Sequence, residues 1–256
     1  MRRLAAGTLA MLLLGACGPR APAPTMMRQH PELAARTAAH SRLAILPPRV
    51  RIWEMGFNDD ETRLRDAEHQ LETEITQLIS AKLSAHHFTL LPARLDAADL
   101  DRQRALRFQL SELFQSYDQL SWKVYRKGAL SPDTARQCHA TMGPAINPFA
   151  DRAAADVLLF VDVDAATKSA GLRGKDTFFM VLAALGGSVY MPPAAGAILE
   201  IALIDGTTGE LLWSNRVAAT FRRSLDAAFL VNTAFNEFPS DAVAATVEAS
   251  APGIPR

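Results

Sequence analysis

Two aspartates in a short apolar run, Asp162 and Asp164, have the type and spacing that acid–base or metal chemistry uses. Residues i and i+2 of a β-strand lie on the same face about 6–7 Å apart, which suits a divalent metal or a general acid and base. The alternative is that the strand ends here and both carboxylates face solvent, and the pattern favours this alternative. Glu200 interrupts another apolar run, and we expect it to pair with an arginine such as Arg216 on the following strand.

Cys138 and His139 form the second candidate, because a thiolate beside an imidazole can act as a nucleophile. Adjacent side chains often point apart, so a small buried apolar cysteine or an intermolecular disulfide are alternatives, and burial is favoured. The six histidines show no metal-binding spacing; they stand at positions 30, 40, 69, 86, 87 and 139. The chain contains neither a nucleophile elbow nor a phosphate-binding glycine loop. We therefore predict no catalytic residue, no metal site and no cofactor.

The N-terminus is the most specific part of the sequence. Arg2 and Arg3 precede an uncharged apolar run over residues 4–14, which is typical of a secretory leader and too short to span a bilayer. The run ends in Leu-Gly-Ala-Cys, which resembles the lipobox of bacterial lipoproteins. The resemblance implies cleavage after Ala16 and acylation of Cys17; the alternative is an ordinary signal peptide with an accidental cysteine. In such lipoproteins an aspartate after the cysteine signals inner-membrane retention, and Gly18 in its place implies the outer membrane.

Composition limits the function classes. The chain has 256 residues, with 27 basic and 27 acidic side chains, and this balance argues against a nucleic-acid partner. With 49% hydrophobic and 21% charged residues, the chain can form a real core. Two cysteines cannot form a disulfide-dense module.

Hydrophobic patterning predicts an α/β fold (α+β mixed), with a mixed β-sheet of about five strands flanked by helices. We expect a disordered N-terminal tether before it, because prolines are frequent up to position 31. The predicted strands and helices, in chain order, are strand 43–46, helix 61–84, strand 88–91, a helical insertion, strand 156–163, hairpin 197–217 and helix 225–238. The predicted domains are a signal peptide (1–16), a lipidated tether (17–40), a single periplasmic domain (41–240, with a helical insertion at about 96–150) and a C-terminal tail (241–256).

The clearest local motif is the hairpin turn, in which two glycines can adopt positive φ. Together with an opening Ala44-Ile45-Leu46-Pro47 strand and a central Ala155-Asp156-Val157-Leu158-Leu159 strand, it resembles the domain of the N-terminal part of TolB, the curli-secretion lipoprotein CsgG and related periplasmic lipoproteins. This resemblance implies a non-enzymatic protein that works by contact in the envelope. The hairpin residues that carry it are Asp205, Gly206, Thr208, Gly209 and Trp213.

Residues 177–199 carry no charge, which makes them the most unusual segment after the lipobox. We expect a buried helix and loop; alternatives are an exposed oligomer or partner surface and membrane insertion. The candidate interaction surface consists of Phe178, Phe179, Met180, Val189, Tyr190 and Met191.

The sequence thus predicts a lipoprotein on the periplasmic side of the outer membrane, acting as a non-catalytic scaffold or adaptor. Its predicted partners are the lipid bilayer, through acylated Cys17, and unidentified envelope proteins, with self-association as a further option. One alternative is an oligomeric secretion-channel subunit that uses residues 174–196. The other is a periplasmic hydrolase that uses the aspartate pair or Cys138 and His139.

Overall fold

The computed structural model describes residues 25–39, 42–56, 58, 60–86, 88–91, 104–126, 138–185, 195–221 and 225–238. The elements are β1 (Thr25–Gln29), α1 (Leu33–Ala39), β2 (Arg42–Ile45), β3 (Arg49–Met55), β4 (Glu61–Arg63), α2 (Arg65–Ser84), β5 (Thr89–Leu90), α3 (Arg104–Arg126), α4 (Asn147–Ala153), β6 (Val157–Lys168), α5 (Ala170–Leu185), β7 (Gly196–Asp205), β8 (Leu211–Thr220) and α6 (Ala227–Phe235). The predicted mixed α/β class is confirmed.

All eight described strands belong to one mixed sheet, with β6 in the middle. On one side of β6 follow β7, β8 and β1, each antiparallel to its neighbour. On the other side β2 and β3 both run parallel to β6, one after the other, because Pro47 and Pro48 interrupt the chain between them. The sheet is larger than the predicted five strands, since β1, β3 and β4 were not counted as strands.

The segment before the domain is partly folded, which shortens the predicted tether. β1 pairs with β8 over five residues, and Leu33 of α1 is buried in the core. The prolines flank β1 at positions 24 and 31 but do not interrupt it, so every residue of the strand can hydrogen-bond. Residues 25–39 therefore belong to the fold. The signal peptide, Ala16, Cys17 and the C-terminal tail lie outside the described residues.

Helices cover both faces of the sheet, and β6 shows this in its sequence. Residues 157–161 are apolar on both faces, as in a strand that is covered on both sides. One face packs on α2 and α6, and the other packs on α3 and α4. From Asp162 onward the strand alternates, with Val163 and Ala165 buried and Asp164 exposed. The second face therefore opens to solvent towards the end of β6.

The helical insertion is represented by α3 and α4. Six of the buried α3 side chains recur at helical spacing and cover the second face of the sheet; they are Leu106, Leu110, Leu113, Phe114, Tyr117 and Leu120. α3 crosses the sheet where its second face changes from apolar to charged.

Candidate functional site

The aspartate pair on β6 faces two arginines on the neighbouring strand. β3 places Arg49 opposite Asp162 and Arg51 opposite Asp164. Arg49 donates from Nε to Asp162 Oδ1 at 2.9 Å and from Nη2 to Asp162 Oδ2 at 2.7 Å, and it also pairs with Asp118 of α3. Arg51 Nη2 lies 3.3 Å from Asp164 Oδ2 and 3.5 Å from Asp162 Oδ2.

This pairing changes what the aspartates can do. The strand does not end at Asp162, whose side chain is only 15% exposed, so the expectation that both carboxylates face solvent is wrong for Asp162 and correct for Asp164. Although burial opposes its charge, hydrogen bonds to Asp162 and Asp118 raise the pKa of the Arg49 guanidinium. The Asp162 carboxylate is therefore held in ion pairs with both arginines.

A charged row, formed by Arg49, Arg51, Asp162 and Asp164, continues across the sheet at Glu200 of β7. It lies directly opposite Arg216 on β8, with Arg216 Nε 3.7 Å from Glu200 Oε2, so the predicted pair is confirmed. The Tyr117 hydroxyl of α3 donates to Glu200 Oε1 at 2.6 Å, and a side-chain hydrogen bond with Ser121 adds to this. Burial raises the pKa of Glu200 despite these partners.

Tyr125, a second tyrosine of α3, lies at the end of the charged row next to β1. The Tyr125 hydroxyl lies 2.8 Å from Ser214 Oγ, and the guanidinium groups of Arg28 and Arg216 each lie 5.4 Å from the Tyr125 ring centroid. The charged row therefore fastens α3 to four strands of the sheet. Its side chains form hydrogen bonds and ion pairs with one another, and this arrangement indicates a structural role.

Cys138 and His139 are near β1 but not arranged for nucleophilic catalysis. The Cys138 backbone N–H donates to the Gln29 carbonyl at 2.9 Å, and the His139 ring contacts the His30 ring edge-on at 4.9 Å between centroids. Burial raises the pKa of the Cys138 thiol, the opposite of what a reactive thiolate needs. Burial, assisted by the charge of Arg36, lowers the pKa of His30. Across the described part of the chain, no group of three or more histidine, cysteine or acidic side chains could hold a metal ion.

The predicted hairpin is confirmed, and its motif residues build the turn. Asp205 Oδ1 accepts from the backbone N–H groups of Thr207 and Thr208, both at 2.9 Å. Gly209 has a φ of 72°, as predicted, whereas Gly206 does not adopt positive φ. Gly206 is needed for space instead, because a Cβ there would lie 2.7 Å from the Cβ of Ala150 in α4.

Trp213 is fully buried, with its ring 4.8 Å from that of Phe238 between centroids. The motif therefore specifies the fold of this corner of the sheet.

The first part of the uncharged segment, residues 177–185, lies in α5, and four of its large side chains are exposed. In α5, Phe178, Phe179, Met180 and Leu182 are 60%, 42%, 50% and 46% exposed. The expected burial of this helix is therefore wrong at these positions. Val189, Tyr190 and Met191 lie outside the described residues. No helix among the described residues has both the length and the apolar character to cross a membrane.

The first half of α5 shows how the helix is attached. Leu172 and Asp176, one turn apart, are buried, and Asp176 accepts a hydrogen bond from Lys168 at the end of β6. The same helix face would continue at Phe179 and Met180, and both are exposed. The buried side chains of the helix that the structure describes thus lie in its first half, and Phe178, Phe179, Met180 and Leu182 in its second half are exposed.

Sequence reasoning missed the arginines of β3 and the tyrosines of α3. The strand sequence Arg-Val-Arg has the same period-2 pattern as Asp-Val-Asp with opposite charge, and this was the available signal. Pairing the two required knowing that strands more than a hundred residues apart are neighbours.

No family model matches this chain, and no curated protein matches it. Among solved structures, two PelC dodecamers from Paraburkholderia phytofirmans align with it at 14% and 12% identity and a TM-score of 0.38 each, over 83% and 86% of this chain and 95% and 96% of theirs. Lipoprotein GNA1162 from Neisseria meningitidis aligns at 10% identity and a TM-score of 0.33, over 83% of this chain and 99% of its own. Similarity at this level does not establish a shared role, and the resemblance to the TolB and CsgG group stays a prediction.

Proposed function

We propose that this chain is a lipoprotein anchored at the periplasmic side of the outer membrane. In this proposal it acts as a non-catalytic scaffold or adaptor in envelope assembly, secretion or cell-wall machinery. The lipobox-like run ending at Cys17 supports the anchor, and the balanced charge of the chain supports a partner other than nucleic acid.

The observation that carries the contact role is the exposure of Phe178, Phe179 and Met180 on α5. Contiguous large apolar side chains at the surface of a fold mark a place where another molecule binds. The two candidate catalytic groups support the same conclusion, because Asp162 is held by arginines and burial disfavours the Cys138 thiolate.

The anchor is tested by the mass of the N-terminal peptide of protein purified from the membrane fraction. We expect a peptide that begins at Cys17 and carries fatty acyl groups, and we expect Cys17→Ser to abolish this modification. A peptide with a bare thiol and with residues 1–16 still attached would overturn the anchor.

The contact role is tested by complementing a deletion strain. Asp164→Asn and Cys138→Ala should restore the envelope phenotype, whereas Phe178→Asp should not. Phe108→Asp is the matched control, because Phe108 is 64% exposed on α3, away from α5. Loss of function in Asp164→Asn or Cys138→Ala at unchanged protein level would instead favour the hydrolase.

An oligomeric secretion-channel subunit is the second candidate, since an exposed apolar helix would also serve assembly of several copies. A detergent-extracted protein that sediments strictly as a monomer would remove this candidate.

A further inference from the structure

We propose that the partner of α5 is the lipid bilayer itself: the projecting half of the helix, residues 177–185, enters the membrane surface as a second attachment point beside the acylated cysteine. The inference deepens the proposed function and rests on it for the presence of a membrane. Contact with the bilayer would hold the body in one orientation, which a single lipid attachment point does not do.

The directions of the exposed side chains are the first argument. Successive residues of an α-helix point about 100° apart, so Phe178, Phe179 and Met180 face three different sides of α5, and all three are exposed. A helix that is apolar on all sides is normally enclosed by protein or by lipid. The nine projecting residues are about 14 Å long, which suits entry into one leaflet rather than a crossing.

The order of residues along α5 is the second argument. Arg173 and Lys175 come first, Phe178 and Phe179 follow, and Leu182 lies further along. Basic, aromatic and aliphatic side chains in this order match headgroups, the interface and the acyl chains. The acidic residue of this stretch, Asp176, is neutralised by Lys168 and therefore does not oppose an anionic membrane surface.

The position of α5 relative to the anchor is the third argument. β1 runs antiparallel to β8, β8 to β7 and β7 to β6, so β1 begins at the end of the sheet where β6 finishes. Thr25, the first residue of β1, and Ala170, the first of α5, are therefore at the same end of the sheet. Only seven residues lie between Cys17 and Thr25, and the eight steps from one to the other span at most about 29 Å. An acylated Cys17 keeps this end of the sheet, and α5 with it, close to the bilayer.

Two other apolar side chains at this end remain exposed on the open face of the sheet. Met26 of β1 is 40% exposed, and Ile198 of β7 is 37% exposed. Met26 is the second residue of β1 and Ile198 is the third residue of β7, so both lie at the end of the sheet where β1 begins. These two residues add apolar side chains to this end of the sheet, next to the charged Asp164 and Arg216.

The test uses the full mature chain without its lipid, Cys17→Ser starting at position 17, sedimented with vesicles of phosphatidylethanolamine containing a minority of phosphatidylglycerol. We expect binding, and we expect Phe178→Asp or Leu182→Asp to weaken it by roughly tenfold or more, because each change adds a charge that lipid cannot solvate. Phe108→Asp should stay within about twofold of the parent. A tryptophan in Phe179→Trp should gain a fluorescence component that brominated acyl chains quench.

Circular dichroism and thermal unfolding identify any variant that fails to fold; the exposed positions should leave both unchanged. Absence of vesicle binding by the folded parent chain would overturn the inference, while the mass of the N-terminal peptide would still decide the lipoprotein proposal separately. Dimers that form in vesicle-free buffer and are lost in Phe178→Asp, without vesicle binding, would assign the surface to a second copy and also overturn it.

Discussion

Gly143 and Gly209 have almost the same φ but opposite surroundings. Replacing each with alanine separates the free-energy cost of the backbone conformation from the cost of a steric collision. Gly143 has a φ of 68°, and a Cβ there would meet nothing within 4 Å. Gly209, in the β7–β8 turn, has a φ of 72°, and a Cβ there would lie 2.2 Å from the Gly143 carbonyl oxygen. Gly143→Ala thus measures the backbone cost alone, and Gly209→Ala adds a collision.

The magnitudes follow from these distances. An L-residue with a side chain pays about 1–2 kcal/mol in the left-handed region, and alanine recovers about 0.4–1 kcal/mol by restricting the unfolded chain. Gly143→Ala should therefore lower the free energy of unfolding by roughly 1 kcal/mol. In Gly209→Ala the backbone of Gly143 must also move, and overpacking of this kind costs a further 1–3 kcal/mol or so, for a total of about 2–4 kcal/mol.

Urea unfolding followed by circular dichroism, with a common slope for all variants, measures both values. The double variant should depart from additivity, since the two positions are in direct contact. Equal destabilisation by the two single substitutions would refute the reasoning, because it would mean that the turn and the loop do not touch in solution.

Three further outcomes are expected. Burial raises the pKa of Glu200 in the folded state, so its contribution to stability is present at low pH and is lost as pH rises from the ordinary glutamate pKa through the raised one; Glu200→Gln should gain stability relative to the parent across that window, measured by urea unfolding at several pH values. Asp162→Asn should cost about 2 kcal/mol because it unpairs a largely buried arginine contact, whereas Asp118→Asn, at the exposed end of the same contact, should cost under about 1 kcal/mol. Because burial raises the pKa of its thiol, Cys138 should react with iodoacetamide more slowly than a free cysteine at the same pH, followed by mass spectrometry.

Elements with local signals were predictable from the sequence. The hairpin follows from turn residues that act within five positions, and the observed strands extend the predicted ones by only a few residues. The periodic apolar positions of α2 likewise predicted a helix over 61–84, and the helix begins at Arg65 because residues 61–63 pair with β3 instead.

Elements that depend on distant partners were not predictable. β1 has no apolar alternation of its own and is a strand only because β8 offers it an edge. The exposure of α5 was missed for a related reason: apolar composition shows that a helix needs cover, but it does not show whether protein or another molecule provides it. The ion pairs of Arg49 and Arg51 required the parallel pairing of β3 with β6, which no local pattern reveals.

The central position of β6 means that the sheet can be completed only once this strand is present. Its neighbours β2 and β3 precede it by more than a hundred residues in the chain. Closing loops of this length is slow, and until β6 is in place the described strands before α3 have only the short pairings of β2 with β5 and of β3 with β4. The sheet therefore assembles late in chain order, after residues 157–168 are available.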